Sequence, residues 1–260
     1  MSVPRKTPAQ FEAIRASAGV LSEALNVAAR TAVAGVSTSE LDARIDSFLR
    51  TRGAEPVLVG RRGGKADPYR HSSCISVNEQ AVHTPPGARV LCDGDLVSLD
   101  ATARVGGWCA DAAVSVAVGG GGRALGLIDG VRACLRAGLE EMFPGRAWSA
   151  VAGAVQQAAS DRSLHLLEGF DGHGIGRELH EPPRCWLTGG PSAQCPDFDL
   201  RVGMVLTLEP VLLEHDAPVA AGPDGWAVVA GPGCWACHEE IMVAIRREGP
   251  CVLTRTPSLP

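Results

Sequence analysis

Two aspartates, Asp100 and Asp111, stand in an otherwise apolar stretch, LVSLDATARVGGWCADAAVSVAVG at 96–119. Small and β-branched residues flank Gly106-Gly107, a pair that supplies the positive φ values of a two-residue hairpin turn. With that turn, Val105 faces Trp108, Thr102 faces Asp111 and Asp100 faces Ala113, so both aspartates point to one face of the ribbon. Their β-carbons are then roughly 7 Å apart, as diagonal neighbours are. Two carboxylates desolvated at that separation repel, and either one takes up a proton or the pair holds a cation. A bound metal is one reading. A pair of solvent-facing aspartates on an edge ribbon is the other.

Other polar residues set in apolar surroundings bear on that choice. GHGIG at 172–176 presents His173 between glycines, where nothing crowds the approach of another group. GMVLTLEPVLL puts Glu209 in the middle of an apolar strand, and CHEEIMVAI puts Glu239 at the head of another. A buried charge without a partner is costly or is neutralised, so each glutamate alone reads equally well as a salt-bridged residue or a ligand. Four carboxylates and a histidine in five such places favour a metal centre.

The elements that would position these residues follow from periodicity. Phe11, Ile14, Ala18, Leu21, Leu25 and Ala28 recur at steps of three and four, which predicts a helix over 8–30. A second helix starts at the capping-box pattern Ser37-Thr-Ser-Glu40 and presents Leu41, Ile45, Phe48 and Leu49. Strands are expected at 54–60 and 74–77, ahead of the hairpin. Helical patterns return at 123–141 (Leu125, Ile128, Val131, Leu135, Leu139) and 147–161 (Trp148, Val151, Val155), and strands near 204–213 and 238–245, with polar loops between. That order reads as α+β, with helices packed on one face of a mostly antiparallel sheet. It also suggests two similar halves, although no residue-level repeat is visible.

Composition narrows the function. The formal net charge of −5 over 260 residues argues against nucleic acid as the main partner, since that needs a basic face. The one basic cluster, Arg61, Arg62, Lys65 and Arg70, reads as a solvated loop. No apolar run is long enough to span a membrane and MSVPRKTPAQ lacks a signal-peptide core, so a cytoplasmic protein is expected. Nine cysteines without a framework spacing read as free thiols, Cys234 and Cys237 included.

The motifs CISVNEQAVH (74–83), LDATARVGGWCAD, GHGIGRELHEPP (172–183), GMVLTLEP (203–210) and CHEEIMV resemble, in order and spacing, those of the methionine aminopeptidases, most closely the short bacterial type-one form. The likeness runs from about residue 8 to 256 and takes in the helices FEAIRASAGVLSEAL and VAGVSTSELDARIDSFL. It implies a pita-bread fold: one catalytic domain over 1–260, with a curved, mostly antiparallel sheet, two helix pairs on its outer face and pseudo-two-fold halves. It also implies two divalent ions of cobalt, manganese or iron, zinc being admissible too. Asp100 would chelate one ion, His173 and Glu209 would hold the other, and Asp111 and Glu239 would bridge them. The pair would activate a bridging hydroxide, Glu209 would relay the proton to the leaving amine, and His83 and His180 would position substrate and stabilise the tetrahedral intermediate. The implied activity is hydrolysis of an N-terminal residue, methionine first, from peptides or nascent chains, as in N-terminal methionine excision, by a monomer.

The surroundings depart from the family pattern. Ala110, Ala112 and Ala113 flank Asp111 where a glycine and a hydroxyl residue are usual. Around the bridging position, His238 replaces an aromatic residue, and Glu240-Ile241 replaces a His-Thr or Asp-Thr pair. The choice between Glu239 and Glu240 is a one-residue register question, resolved toward Glu239 by strand phase. Tyr69 and Cys74 match the family's methionine pocket, Leu179 and Ala66 stand where aromatic rings are expected, and Trp226 or Trp235 would complete the wall. The segment 212–226 has no lysine or arginine, which argues against ribosome association and direct nucleic-acid contact. Two alternatives stay open: a relative of the same fold with altered specificity for a small peptide or specialised metabolite, and a metal-free binding protein.

Overall fold

The hairpin closes in the register counted from its turn. The computed structural model describes residues 3–63 and 67–255, and in it strands Leu96–Val105 and Trp108–Ala117 pair antiparallel, with Val105 opposite Trp108, Thr102 opposite Asp111 and Asp100 opposite Ala113. Gly106 and Gly107 take φ of 57° and 77°, values that a two-residue turn demands and that a side chain would strain. Ser73–Val77 and the two-residue strand Glu55–Pro56 complete this sheet. The strand expected over 54–60 is thus only a stub. Pro56 lacks the N–H that would carry the ladder further.

Among the described residues four helices cover the strands: α1 (Pro8–Thr31), α2 (Thr38–Thr51), α3 (Gly122–Glu141) and α4 (Trp148–Ser160). Thr7 and Ser37 begin α1 and α2 with reciprocal capping boxes, the second through Glu40 as its spacing predicts. The predicted stripe of α1, from Phe11 to Ala28, is buried against the hairpin and α2. Each fully buried Ile or Leu there contributes about 1.5–3 kcal/mol of transfer free energy. Along α3 the stripe holds for Ile128, Val131 and Leu135, but Leu125 is 46% exposed. The buried face runs through Ala124, Leu127, Ile128, Val131, Cys134 and Leu135, and Leu125 lies to one side of it.

The second half carries a five-stranded antiparallel sheet in the order Gly249–Val252, Ile241–Arg246, Val205–Leu208, Gly172–Gly174, Glu181–Cys185. The expected strands at 204–213 and 238–245 are each interrupted, the first at Glu209-Pro210 and the second at Glu239-Glu240, and each piece pairs separately. The supposed loops between them hold several three-residue strands, among them Val219–Ala221 and Val228–Ala230, too short to show a period.

Backbone hydrogen bonds reveal the two halves that no residue-level repeat showed. Gly35 N–H donates to Leu91 O, and Thr38 N–H to Arg89 O; likewise Gly145 N–H donates to Leu200 O, and Trp148 N–H to Phe198 O, with donors 110 and acceptors 109 positions along. The strands repeat likewise. Gly94 N–H bonds Val118 O as Gly203 N–H bonds Ile245 O, while Leu99 opposite Val114 matches Leu208 opposite Ile241. Continuing both ladders by one pair makes Asp100 equivalent to Glu209 and Ala113 equivalent to Glu240. Those last two residues meet where the halves join, each N–H donating to the other's carbonyl at 3.3 and 3.1 Å.

No helix among the described residues is long and apolar enough to cross a membrane.

Candidate active site

Asp111, His173 and Glu240 each offer a ligand atom, all within 4.8 Å of one another. Asp111 comes from the second arm of the hairpin and His173 from the short strand Gly172–Gly174. The glycines beside His173 do more than leave an approach open. A Cβ on Gly172 would lie 2.7 Å from Thr207 O, and one on Gly174 would run into Pro182 O, so these glycines let the neighbouring strands close around the imidazole. Glu209 Oε1 is 3.7 Å from His173 Nε2, and Asp111 Oδ2 is 3.6 Å from it. Asp100 sits beside them, close enough that the charges of Asp111 and Glu209 both act on it.

The sequence points to Glu239 as the bridging residue, whereas the structure brings Glu240 to Asp111 and His173. The Glu239 side chain is 1% exposed; Arg132 of α3 donates to it from Nε and Nη2 at 3.1–3.3 Å, and Ser115 N–H donates at 3.2 Å. Glu240, 3% exposed, faces Asp111 and His173 instead. Strand phase misleads here because both glutamates lie in the gap between strands Ala236–His238 and Ile241–Arg246. The backbone bonds between Ala113 and Glu240 hold that gap against the hairpin.

Hydrogen bonds assign the tautomers of two histidines in ring contact, their centroids 4.3 Å apart. His173 Nδ1 lies 2.9 Å from Gly174 O. A carbonyl only accepts, so Nδ1 carries the proton and the neutral ring keeps its Nε2 lone pair for the carboxylate cluster. His180 has the reverse arrangement. Arg61 Nη2 stands 3.2 Å from its Nδ1, and because a guanidinium only donates, the neutral His180 carries its proton on Nε2. Arg61 is therefore more than part of a solvated basic loop, whereas Arg62 and Arg70 are exposed and Lys65 lies outside the described residues. Partial loss of water, then the positive charges of His173 and Arg61, push His180 down to about 4. Lys6 pairs with Glu181, whose other oxygen accepts from Arg177 N–H at 2.8 Å, tying the N-terminal arm to the turn that carries His180.

Electrostatically the cluster is an excess of negative charge. Burial first, then Asp111 and Glu209, raise Asp100 well above the usual carboxylate range. Glu240 is raised well above it too, by burial and then by Asp111, Glu209 and Asp100. Burial is also the main cause for Glu209, which reaches about 7 despite His173 and the Thr207 hydroxyl donating to it at 2.6 Å. For His173 burial is the largest influence and lowers it, but contact with Asp111 and the charges of Glu209 and Asp111 outweigh that and raise it to about 9. Glu240 Oε1 is buried without a hydrogen-bond partner, as is Oγ1 of Thr102, which pairs across the strands with Asp111. Buried oxygens left unpaired beside repelling carboxylates are what a hard divalent cation would satisfy, with His173 adding Nε2 once a cation displaces its proton. The residues therefore fit a metal centre.

The substrate side is assembled in part. Tyr69 donates through its hydroxyl to Ser73 O at 2.8 Å, lies 3.2 Å from Cys74 Sγ and meets Trp226 edge-on at 5.1 Å. Cys74 pairs across the strands with Asp100. Trp235 instead lies under the Arg123 guanidinium, so Trp226 is the tryptophan at this wall. His83 is exposed, takes a φ of 59° and sets its ring 5.6 Å from that of Phe170. Leu179 is 3% exposed and belongs to the apolar core around α1 and the hairpin. Ala66 lies outside the described residues. Sequence reasoning passed over Thr207, although a hydroxyl two residues from Glu209 on one strand face is a readable signal. Arg61 and Arg132 carried none, because their partners are distant in the chain.

Known proteins resemble this chain in sequence and in fold. Residues 12–250 match metallopeptidase family M24. The chain is 36% identical over 250 residues to a methionine aminopeptidase of Treponema pallidum, covering 96% of this chain and 95% of that protein. It is 35% identical over 260 residues to methionine aminopeptidase 1 of Mycobacterium tuberculosis, covering 97% and 95%. Among solved structures, methionine aminopeptidase from Thermotoga maritima superposes with a TM-score of 0.90 at 29% identity, over 98% of this chain and 100% of that one. A prolidase from Pyrococcus furiosus shares the fold at 20% identity with a TM-score of 0.74, and this chain covers 65% of it.

Proposed function

Because the chain belongs to metallopeptidase family M24 and has its pita-bread fold, we propose that it is a metal-dependent aminopeptidase that removes N-terminal methionine from peptides or nascent chains. The observation that carries this reading is the convergence of Asp111, His173 and Glu240 within 4.8 Å, with Asp100 and Glu209 beside them, in a chain that matches curated methionine aminopeptidases along almost its full length. Two divalent ions held by these five residues would supply Lewis-acid activation of water and of the scissile carbonyl. Cobalt, manganese, iron and zinc are the candidates, since oxygen-rich donors with one imidazole do not select among them by affinity.

The chain's own residues account for the proton traffic. Glu209, beside His173 and under the Thr207 hydroxyl, sits where a carboxylate can take a proton from attacking water and hand it to the leaving amine. His180 presents its Nε2–H because Arg61 occupies Nδ1, which suits it to donate to the oxygen that gains charge. His83, near enough for its charge to bear on His180, would orient the substrate from the rim. Tyr69, Cys74 and Trp226 would receive the first side chain, with Leu179 as backing.

The direct test is hydrolysis of tripeptides that differ only in the first residue, by protein loaded in turn with each candidate ion. Methionine peptides are expected to be cleaved; a panel with no cleavage under any ion would remove the activity. His180→Ala is expected to lower kcat by about two orders of magnitude, the scale for one stabilising donor, and to leave bound metal unchanged. Loss of metal in that variant would place His180 among the ligands.

A further inference from the structure

Adjacent buried glutamates, only one of which can serve the metals, raise the question of what holds the other away. The backbone permits both arrangements locally. Glu239 and Glu240 lie between two strand segments, and a slip of one residue there would exchange the faces of their side chains. Several contacts oppose the slip. Ser115 Oγ donates to His238 O at 2.9 Å, Ser98 Oγ accepts from His238 N–H at 3.2 Å, and the Ala113–Glu240 backbone bonds follow directly. These contacts hold the chain but do not distinguish one carboxylate from another. Arg132 does. From α3 its guanidinium spans both oxygens of Glu239, and its own side chain is 24% exposed, so it reaches from the outer helix layer to the edge of the metal centre.

We propose that Arg132 is a positioning residue, a fixed cation that commits Glu239 to α3 and so leaves Glu240 as the ligand facing Asp111 and His173. The inference rests on the metallopeptidase reading of that cluster. Without Arg132, Glu239 loses the guanidinium that spans both its oxygens, and the divalent ions that Glu240 would hold become a competing positive charge for it. Competition between the two glutamates then loosens the ligand set.

The test uses the full-length protein titrated with Co(II), following the visible ligand-field bands for affinity, stoichiometry and geometry, with no turnover involved. Arg132→Met is expected to weaken the binding of one Co(II) equivalent by about ten- to a hundred-fold, the range for losing an outer partner of a metal ligand, and to change the band shape. Arg132→Lys should retain much of the wild-type spectrum. The double variant Arg132→Met/Glu239→Gln should recover wild-type affinity and bands, because a neutral amide no longer competes. It also serves if the single variant fails to fold. Wild-type binding by Arg132→Met, or a double variant that binds weakly or with altered bands, would overturn the proposal while leaving the metal centre standing. A wild-type chain that takes up no Co(II) would instead remove the metal centre itself, and this role for Arg132 with it.

Discussion

Glu240→Gln is expected to lower kcat/KM on a methionine-initiated tripeptide by at least about a thousand-fold, because a metal centre supplies several kcal/mol of transition-state stabilisation and each 1.36 kcal/mol is worth ten-fold. The amide keeps the shape of the side chain, which is buried beside Asp111 and His173, but removes the charge that balances the cations. Metal analysis of the purified variant should show one ion fewer than wild type. Glu239→Gln provides the contrast. Its amide can still accept from Ser115 N–H, and Arg132 is exposed enough to recover water, so the loss should not exceed about ten-fold, the lower figure for an outer partner. Equal losses in the two variants, or the larger loss in Glu239→Gln, would return the ligand role to Glu239.

Stripping the metals is expected to lower the melting temperature by about 10 °C at pH 7.5, as follows from a ligand at about a thousand-fold excess over its dissociation constant and 2–4 °C per kcal/mol for a chain of this size. At pH 5 the difference should nearly vanish. Asp100, Glu209 and Glu240 all have folded-state values raised by burial, Glu209 from 4.5 to about 7. A raised folded value means that the folded state binds the proton more tightly than the unfolded chain does. Its stabilising contribution is therefore complete below the unfolded value and is lost as pH rises through the folded one. The metal-free protein should accordingly weaken between about pH 4.5 and 7, the interval in which the ligands become free to bind cations. Thermal scans of chelated and metal-loaded protein across that range measure the gap; one that stayed constant with pH would contradict the assigned electrostatics.

The parts of this molecule that could be read from sequence are those governed by local rules. A Gly-Gly turn and a period of two place Asp100 and Asp111 on one face by counting alone, and the structure keeps that register. The stripe on α1 and the capping box at Ser37 are equally local. What could not be read depends on distant partners. Glu239 and Glu240 differ by one position, and the group that separates them, Arg132, lies on a helix from the start of the second half. Arg61 gains its role only because the fold brings His180 to it. The short strands of the second half have too few residues for periodicity to register, and Leu125 is exposed because the buried face of its helix is centred on Ala124, Leu127, Val131 and Cys134, a phase that spacing from Ile128 alone does not settle.

The meeting of Ala113 and Glu240 bears on how the two halves could have diverged. A rotation axis has room for one occupant, and residues that exchange backbone bonds across it aim their side chains at the same spot. Had both copies kept a glutamate there, two more negative charges would have crowded a place already holding Asp100, Asp111 and Glu209. Ala113 is small, which leaves that room to Glu240. Unlike residues at this joint are thus a steric condition for an undivided site between the two halves.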